Sequence, residues 1–364
     1  MDPTSYKWRV SKLLRKTISP ALRNKNSIMS EIKMYDTPFH ESSLANTSVL
    51  VTGGAGFIGS NIVTYLLAHG VKKVRVLDNL SNGFLRNLEA FKNNPAFEFM
   101  EGDITVMDDC NKACEGMDIV THQAALGSVP RSIKNPLATS EANTTGFLNM
   151  LLAARDAGVK RFVYASSSSV YGDSIASPKQ EENLGNPLSP YAVSKLTNEL
   201  YARVFSMHYG IETIGLRYFN VFGPNQDPNG PYAAAIPLFM NALLFGKDAV
   251  IFGDGEQTRD FTFVENAVQA NIRALFTTNK EALNRVYNVA VSEAVSVNDL
   301  YQTIATIAGN NKQPEYVAER KGDIKNSLAD ISLAVKYLGY APRYKYKDGL
   351  SITVNWFKNT YNNA

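Results

Sequence analysis

The sequence predicts an α/β fold, a doubly wound parallel sheet with a smaller C-terminal lobe. Three observations predict it. Short apolar runs bounded by turn residues alternate with helix-like stretches across residues 48–216, the pattern of buried parallel strands covered by helices. The first run feeds Gly53-Gly54-Ala55-Gly56-Phe57-Ile58-Gly59, a glycine-rich turn that opens a helix. Later runs stop near polar residues such as Asp78, Asp103 and Gln123, and strand ends of this kind line the ligand crevice of such a sheet.

Residues 48–52 read as the first strand, and residues 58–67 carry helical periodicity until His69-Gly70 stops it. Residues 74–77, 97–100, 118–121, 162–165 and 211–216 read as five more strands. Beyond about Asn220 the pattern loosens into turns, Gly223-Pro224-Asn225 and Asp227-Pro228-Asn229-Gly230-Pro231. Residues 261–275 read as a strand and helix that return to the main body, so the lobe is discontinuous. The expected organisation is a basic N-terminal extension (1–45), a dinucleotide-binding domain of the Rossmann kind (46–220) and a substrate-binding lobe (221–364) with segments returning to that domain.

With 364 residues, 45% apolar and 20% charged, the composition is that of a globular protein with a substantial core. Cys110 and Cys114 cannot build a disulfide framework, and His40, His69, His122 and His208 are scattered. A reducing, cytoplasmic setting without a metal site is the expectation. The net charge of +3 hides an asymmetry, because residues 1–33 carry eight Lys/Arg against Asp2 and Glu31, a local +6 that leaves −3 for the rest. The nearly neutral body has no basic stripe with interleaved aromatics, which argues against nucleic-acid binding. No run suits a membrane span, since the most apolar stretch, residues 233–245, holds Pro237 and Asn241. In the leader, Val10, Leu13, Leu14, Ile18, Ala21 and Leu22 recur at helical spacing among cations. That suits a membrane surface or, as the better reading, an N-terminal helix or loose extension.

The glycines divide the labour of a phosphate cradle. Gly53 permits the tight turn, Gly56 lets backbone approach a pyrophosphate, and Gly59 allows close helix packing, while Phe57 and Ile58 bring the helix N-terminus to the anion. Asp78, 19 residues after Gly59, can accept hydrogen bonds from both ribose hydroxyls and would repel a 2′-phosphate, so NAD is favoured over NADP. Asn79, Ser81 and Gly83 follow with no arginine among them to reverse that preference. Asp103 and Ile104 sit where an adenine amine is met, and Asp103 is also expected to cap the helix starting near Met107. Gln123, Ala124 and Ala125 close the fourth strand.

Tyr191 and Lys195 stand one helical turn apart, 132 residues beyond Gly59 in the case of Tyr191. Phenol and ammonium then share a face, and the cation is expected to lower the phenol's pKa toward that of a general base. Ser166, Ser167, Ser168 and Ser169 end the fifth strand 20 or so residues earlier, at the sheet edge that lines the crevice.

These motifs resemble the extended short-chain dehydrogenase/reductase family and, within it, the nucleotide-sugar 4-epimerases. The resemblance covers about residues 46–360 and includes the glycine turn, the serine run, Tyr191 with Lys195, Arg217-Tyr218-Phe219-Asn220, Gly253-Asp254-Gly255, Arg259-Asp260-Phe261 and Arg320-Lys321-Gly322-Asp323. It implies that Tyr191 removes the proton of the sugar's 4-hydroxyl while hydride leaves carbon 4 for NAD. Ser167 would bridge base and sugar with Ser168 beside it, Lys195 would hold the nicotinamide ribose, and Asn143, Tyr218 and Val221 would complete the cofactor contacts. Arg259 and Arg320 match diphosphate-contacting arginines. Asp323 would take a ribose hydroxyl, Asn220 and Ala234 would contact the substrate, and Ile251 and Phe252 would flank the uracil. Glu265 stands where the family pattern has aspartate.

Gly127-Ser128-Val129-Pro130-Arg131-Ser132 is similar to the loop of epimerases that act on N-acetylated sugars, and Ser327 matches the gate position. A serine there leaves space and a hydroxyl for the acetamide. The resemblance therefore points to a UDP-N-acetylhexosamine substrate and a homodimer built through residues 137–156 and 191–209. UDP-galactose or UDP-glucuronate is the alternative substrate, and a non-catalytic NAD-sensing protein on the same scaffold the remote one.

Overall fold

The computed structural model describes residues 34–228, 234–319 and 325–361. The basic leader and the expected contacts Arg320 and Asp323 lie outside the described residues. The chain groups into Met1–Thr37 and a large unit from Pro38 onward, which carries everything that follows.

The apolar runs become strands β1 (Ser48–Thr52), β2 (Lys73–Asp78), β3 (Phe97–Glu101), β4 (Ile119–His122), β5 (Arg161–Ser167) and β6 (Glu212–Tyr218). All of β1 and β4 is buried, which explains their unbroken apolar character in place of alternation. Four short strands follow, β7 (Val221–Phe222), β8 (Val250–Phe252), β9 (Thr258–Asp260) and β10 (Thr262–Phe263), before β11 (Arg285–Val289). The main sheet is parallel and seven-stranded, in the order β11-β6-β5-β4-β1-β2-β3. The strand β11 adds a member that the sequence reading did not contain, and its place comes from pairing with β6, Val286 opposite Gly215 and Tyr287 opposite Leu216.

Strand order reverses between β1 and β4, so connections leave their carboxyl ends in opposite directions and open a crevice there. Helices α1 (Phe57–Ala68), α2 (Met107–Cys114), α3 (Val129–Lys134) and α4 (Pro136–Ser140) lead through a π turn, Glu141–Thr145, into α5 (Gly146–Asp156). Then come α6 (Pro190–Tyr209), α7 (Ala235–Phe245) and α8 (Val264–Phe276). Helix α6 is specified locally. Ser189 caps it by accepting from the Ala192 N–H at 3.1 Å, Pro190 takes the first position, and Gly210 ends it at φ 71°. The strand and helix expected over residues 261–275 are β10 and α8, and α8 does return to pack on α1, β4, β5 and β6.

One expected cap is different. The N-cap of α2 is Val106, with no side-chain cap, and Asp103 instead accepts from the Thr105 N–H and hydroxyl, both at 2.8 Å. The carboxylate tightens the preceding turn because it sits too far upstream to reach the helix.

The remaining elements, β12 (Ala294–Ser296), α9 (Val297–Ala308), β13 (Glu315–Val317), β14 (Asn326–Ser327), α10 (Ser332–Leu338) and α11 (Tyr346–Tyr361), build the lobe. Among the described residues, no helix is long and apolar enough to cross a membrane.

The core beside the site is aromatic. Phe147 on α5 is fully buried and packs edge-on to His122, Phe162 and Tyr164, with ring centroids 5.4, 5.7 and 5.2 Å away. Phe147→Ala is expected to cost about 3–5 kcal/mol of stability. Urea unfolding measures it, and a loss below about 1 kcal/mol would show that the helix layer collapses to refill the space.

Candidate active site

At the end of β1 the chain turns through Gly53 at φ 67°, and a Cβ there would lie 2.7 Å from the Ala124 backbone nitrogen beyond β4. A Cβ on Gly59 would lie 2.2 Å from the Gly53 carbonyl oxygen, so α1 starts as near the turn as backbone allows. Gly56 is extended and offers no side-chain cap, which leaves first-turn N–H groups for a ligand.

A cleft of about 630 Å³ opens over this turn. Gly53, Gly56, Phe57, Ile58, Gly59, Asp78, Asn79, Ser81, Gly83, Asp103, Ile104, Gln123, Ala124, Ala125, Tyr191, Lys195 and Tyr218 line it, as does Gly127 from the expected substrate loop. Asn143 is placed behind the wall. Its amide brackets the Leu126 N–H and carbonyl at 2.7 and 3.1 Å and donates to the Ser194 hydroxyl at 3.1 Å, joining the cleft loop to α6. Ser128, at φ 97°, caps α3 by accepting from the Arg131 N–H at 3.3 Å.

Asp78 accepts from the Ala55 N–H at 2.9 Å through one oxygen and from the Leu80 N–H at 2.8 Å through the other. Burial outweighs these bonds and holds its carboxyl above the usual range. Each oxygen keeps a lone pair for a ribose hydroxyl. Asn79 donates to Asp103 at 2.8 Å. Burial pushes the Asp103 carboxyl up, but the bonds from Thr105 and Asn79 bring it below its ordinary value.

Lys195, 2% exposed, donates to the Ala165 carbonyl at 2.8 Å, with its nitrogen 5.9 Å from the Tyr191 ring centroid. Burial lowers this ammonium to about 8, and the Glu199 charge opposes the fall. The expectation that the lysine lowers the phenol is not what governs Tyr191. Burial raises that phenol above its ordinary value and a hydrogen bond with Ser167 pulls it part of the way back. One of the ammonium's three N–H groups goes to the strand carbonyl.

A second cavity, of about 270 Å³, gathers Asn220, Val221, Ala234, Ile251, Phe252 and Arg259. It begins two residues beyond Tyr218, which lines the first. Asn220, at φ 37°, donates to the Asp260 carbonyl at 2.9 Å, and Arg259 donates to the Thr258 carbonyl at 2.8 Å. Ser327, 9% exposed, pairs with Arg259 across β14 and β9. Ser168 opens the short 3₁₀ turn after β5.

Several lining residues escaped the sequence reading. Asn87 donates to the Ala55 carbonyl at 2.9 Å, and Asn225 to the Ser60 hydroxyl at 3.1 Å. Neither belongs to a spaced motif; the Gly223-Pro224-Asn225 turn was the available signal for the second. Asn271 on α8 lies beneath the cleft floor. It accepts from Thr121 at 3.1 Å and Gln123 at 3.0 Å and donates to Tyr218 at 2.7 Å, while Tyr218 donates to Gln123 at 3.0 Å.

The profile of the NAD dependent epimerase/dehydratase family matches residues 49–290. A UDP-glucose 4-epimerase of Mycolicibacterium smegmatis is 38% identical over 312 residues, 85% of this chain and 98% of its own length. A UDP-glucuronate 4-epimerase of Thermodesulfobacterium geofontis is 34% identical over 316 residues, 85% of this chain and 95% of its own. Among solved structures, UDP-N-acetylglucosamine 4-epimerase from Methanobrevibacter ruminantium M1, in complex with UDP-N-acetylmuramic acid, is 41% identical with a TM-score of 0.81, covering 86% of this chain and 98% of that one.

The residues present fit NAD: a glycine turn so tight that a Cβ on Gly53 or Gly59 would strike backbone, a carboxylate at the β2 end, and a lysine and tyrosine lining the same cleft. Gly59→Ala is expected to lower NAD affinity at least about tenfold, roughly 1.4 kcal/mol. Titration calorimetry reads it, and undiminished affinity would remove the turn from the cofactor site.

Proposed function

The chain belongs to the NAD dependent epimerase/dehydratase family, and from that premise we propose that it interconverts UDP-N-acetylglucosamine and UDP-N-acetylgalactosamine through a transient 4-keto sugar. The observation carrying the sugar assignment is the open space at Gly127 on the cleft wall, where a Cβ would meet nothing within 4 Å, with a small residue, Ser327, paired to Arg259 in the lobe. That room suits an acetamide. The 41% identical epimerase structure supports the same sugar class.

Bound in the cleft, NAD supplies a reversible hydride acceptor for carbon 4. Tyr191 takes the 4-hydroxyl proton at its phenolic oxygen and returns it after the ketone has turned its other face. Ser167, hydrogen-bonded to that phenol, holds the reacting oxygen in line. Burial makes the Tyr191 phenol reluctant to ionise, so positive charge has to be supplied nearby, and Lys195 is this chain's contribution. Arg259, with Arg320, neutralises the diphosphate, and Asp323 and Asn220 fix the ribose and sugar ends. Ile251 and Phe252 provide apolar walls for the base. Asp78 and the glycine turn hold the adenosine half of NAD.

A second reading, a UDP-galactose or UDP-glucuronate 4-epimerase with the same chemistry, is favoured by the substrates named for the 38% and 34% identical relatives. Homodimerisation is part of the proposal. Val193, Leu200, Val204 and Met207 are exposed on α6, with Ile133 and Leu137 on α3 and α4. Sedimentation velocity checks it. Two free, buried cysteines support a cytoplasmic setting.

Proton NMR of protein mixed with either acetylated sugar nucleotide should show the other appear without added cofactor. A clear kcat/KM preference for an unacetylated sugar would favour the second reading. Tyr191→Phe should keep NAD binding and lose roughly 10²- to 10⁴-fold in rate; unchanged turnover would remove Tyr191 from its role. Ser327→Tyr should cut kcat/KM for the acetylated sugars at least about tenfold relative to unacetylated ones.

A further inference from the structure

Beneath the catalytic wall lies an anion that the reaction as described does not use. Glu199 sits one turn beyond Lys195 on α6, and its side chain is 7% exposed. Its carboxylate accepts a fork from Arg217 on β6, at 2.9 Å from Nε and 2.8 Å from the second guanidinium nitrogen. It also accepts from the Ser166 hydroxyl at 2.5 Å. Ser166 follows Ala165, the residue whose carbonyl holds Lys195. Two neighbouring strand residues are thus tied to two neighbouring turns of one helix face.

Tyr191 and Glu199 flank Lys195 on its own helix, His122 on β4 feels its charge, Tyr218 on β6 and Glu141 of the π turn line the same cleft, and Tyr164 on β5 and Arg217 on β6 face Glu199. His122 is kept neutral, at about 3, by burial and by the Lys195 charge. Burial and the Glu199 charge both raise the Tyr164 phenol, and Arg217 opposes them. Both charges therefore reach across the helix and strand interface. An ammonium with a neutral carbonyl as its acceptor, in a site this dry, is expensive to keep charged.

We propose that Glu199 is a positioning residue for catalysis: locked by Arg217 and Ser166, it supplies the buried negative charge that keeps Lys195 protonated against the strand. This rests on the reading of Lys195 as the cation beside Tyr191. A neutral Lys195 would leave both the phenol and the nicotinamide ribose without their cation.

The test is Glu199→Gln in the NAD-loaded protein, whose single amide oxygen can still accept from Ser166 and Arg217 Nε while the charge and the second arm of the fork are lost. Lys195 is titrated by NMR of ¹³Cε-lysine protein, assigned with Lys195→Arg, and kcat/KM is followed against pH. The Lys195 midpoint and the alkaline limb of kcat/KM should both move down by roughly one pH unit or more, about a tenfold rate loss above that limb. Glu199→Asp, which keeps the charge, should restore the midpoint. If Glu199→Gln does not fold, the double variant Glu199→Gln/Arg217→Lys, which keeps the partner's positive charge on a single point donor that the amide oxygen can accept from, should show the same shift. A midpoint unmoved in the folded variant, with only the melting temperature lowered, overturns the proposal. The NMR titration needs no sugar, so failure of the epimerase reading would appear separately, as absent turnover with the Lys195 shift intact.

Discussion

The bond from the buried Lys195 ammonium to the Ala165 carbonyl, 2.8 Å long, seats helix α6 against the end of β5, and the geometry of the site follows from that seating. A buried ammonium without an acceptor costs several kcal/mol, so helix and strand have little freedom to slide. Tyr191 in the first turn is thereby fixed beside Ser167, at the carboxyl edge of the sheet where the glycine turn also opens. The same burial that enforces the placement also opposes the chemistry, because it raises the phenol and depresses the amine. The Glu199 charge, from behind the wall, opposes the fall of the amine.

The cofactor cleft is closed from below by residues far apart in the chain. Gln123 at the end of β4 is bonded to Asn271 on α8, 148 residues away, and Tyr218 at the end of β6 joins both. Polar groups at such depth need every partner satisfied, and this ring satisfies them with one another. The glycine turn contributes the opposite property, an absence of side chain where two backbones meet. Rigid floor and open rim together preorganise a site for a diphosphate-linked ligand.

In the lobe the comparable anchor is Asp260. It is fully buried and accepts from the Val291 N–H at 3.1 Å and the Ala329 N–H at 3.3 Å. Burial lifts its carboxyl to about 6 in spite of those bonds. It binds β9, which bears Arg259, to the chain just after Ser327 on β14. Arg259 and Ser327, the residues proposed for diphosphate and sugar, thus share one mechanical reference.

The sequence by itself determined the alternation of strand and helix through residue 218, the glycine turn, and the pairing of Tyr191 with Lys195 one turn apart. Each of these is short-range: burial pattern, backbone conformation and helical period are set by neighbours within a few residues. Strand β11, the buried role of Asn143, the Asn271 ring and the fork of Arg217 onto Glu199 were decided by tertiary structure, for each joins residues 18 or more positions apart on different elements. The phenol's acidity belongs with them. Spacing placed a lysine beside Tyr191, but which acceptor takes the ammonium, and how dry the place is, depends on how the whole sheet is covered.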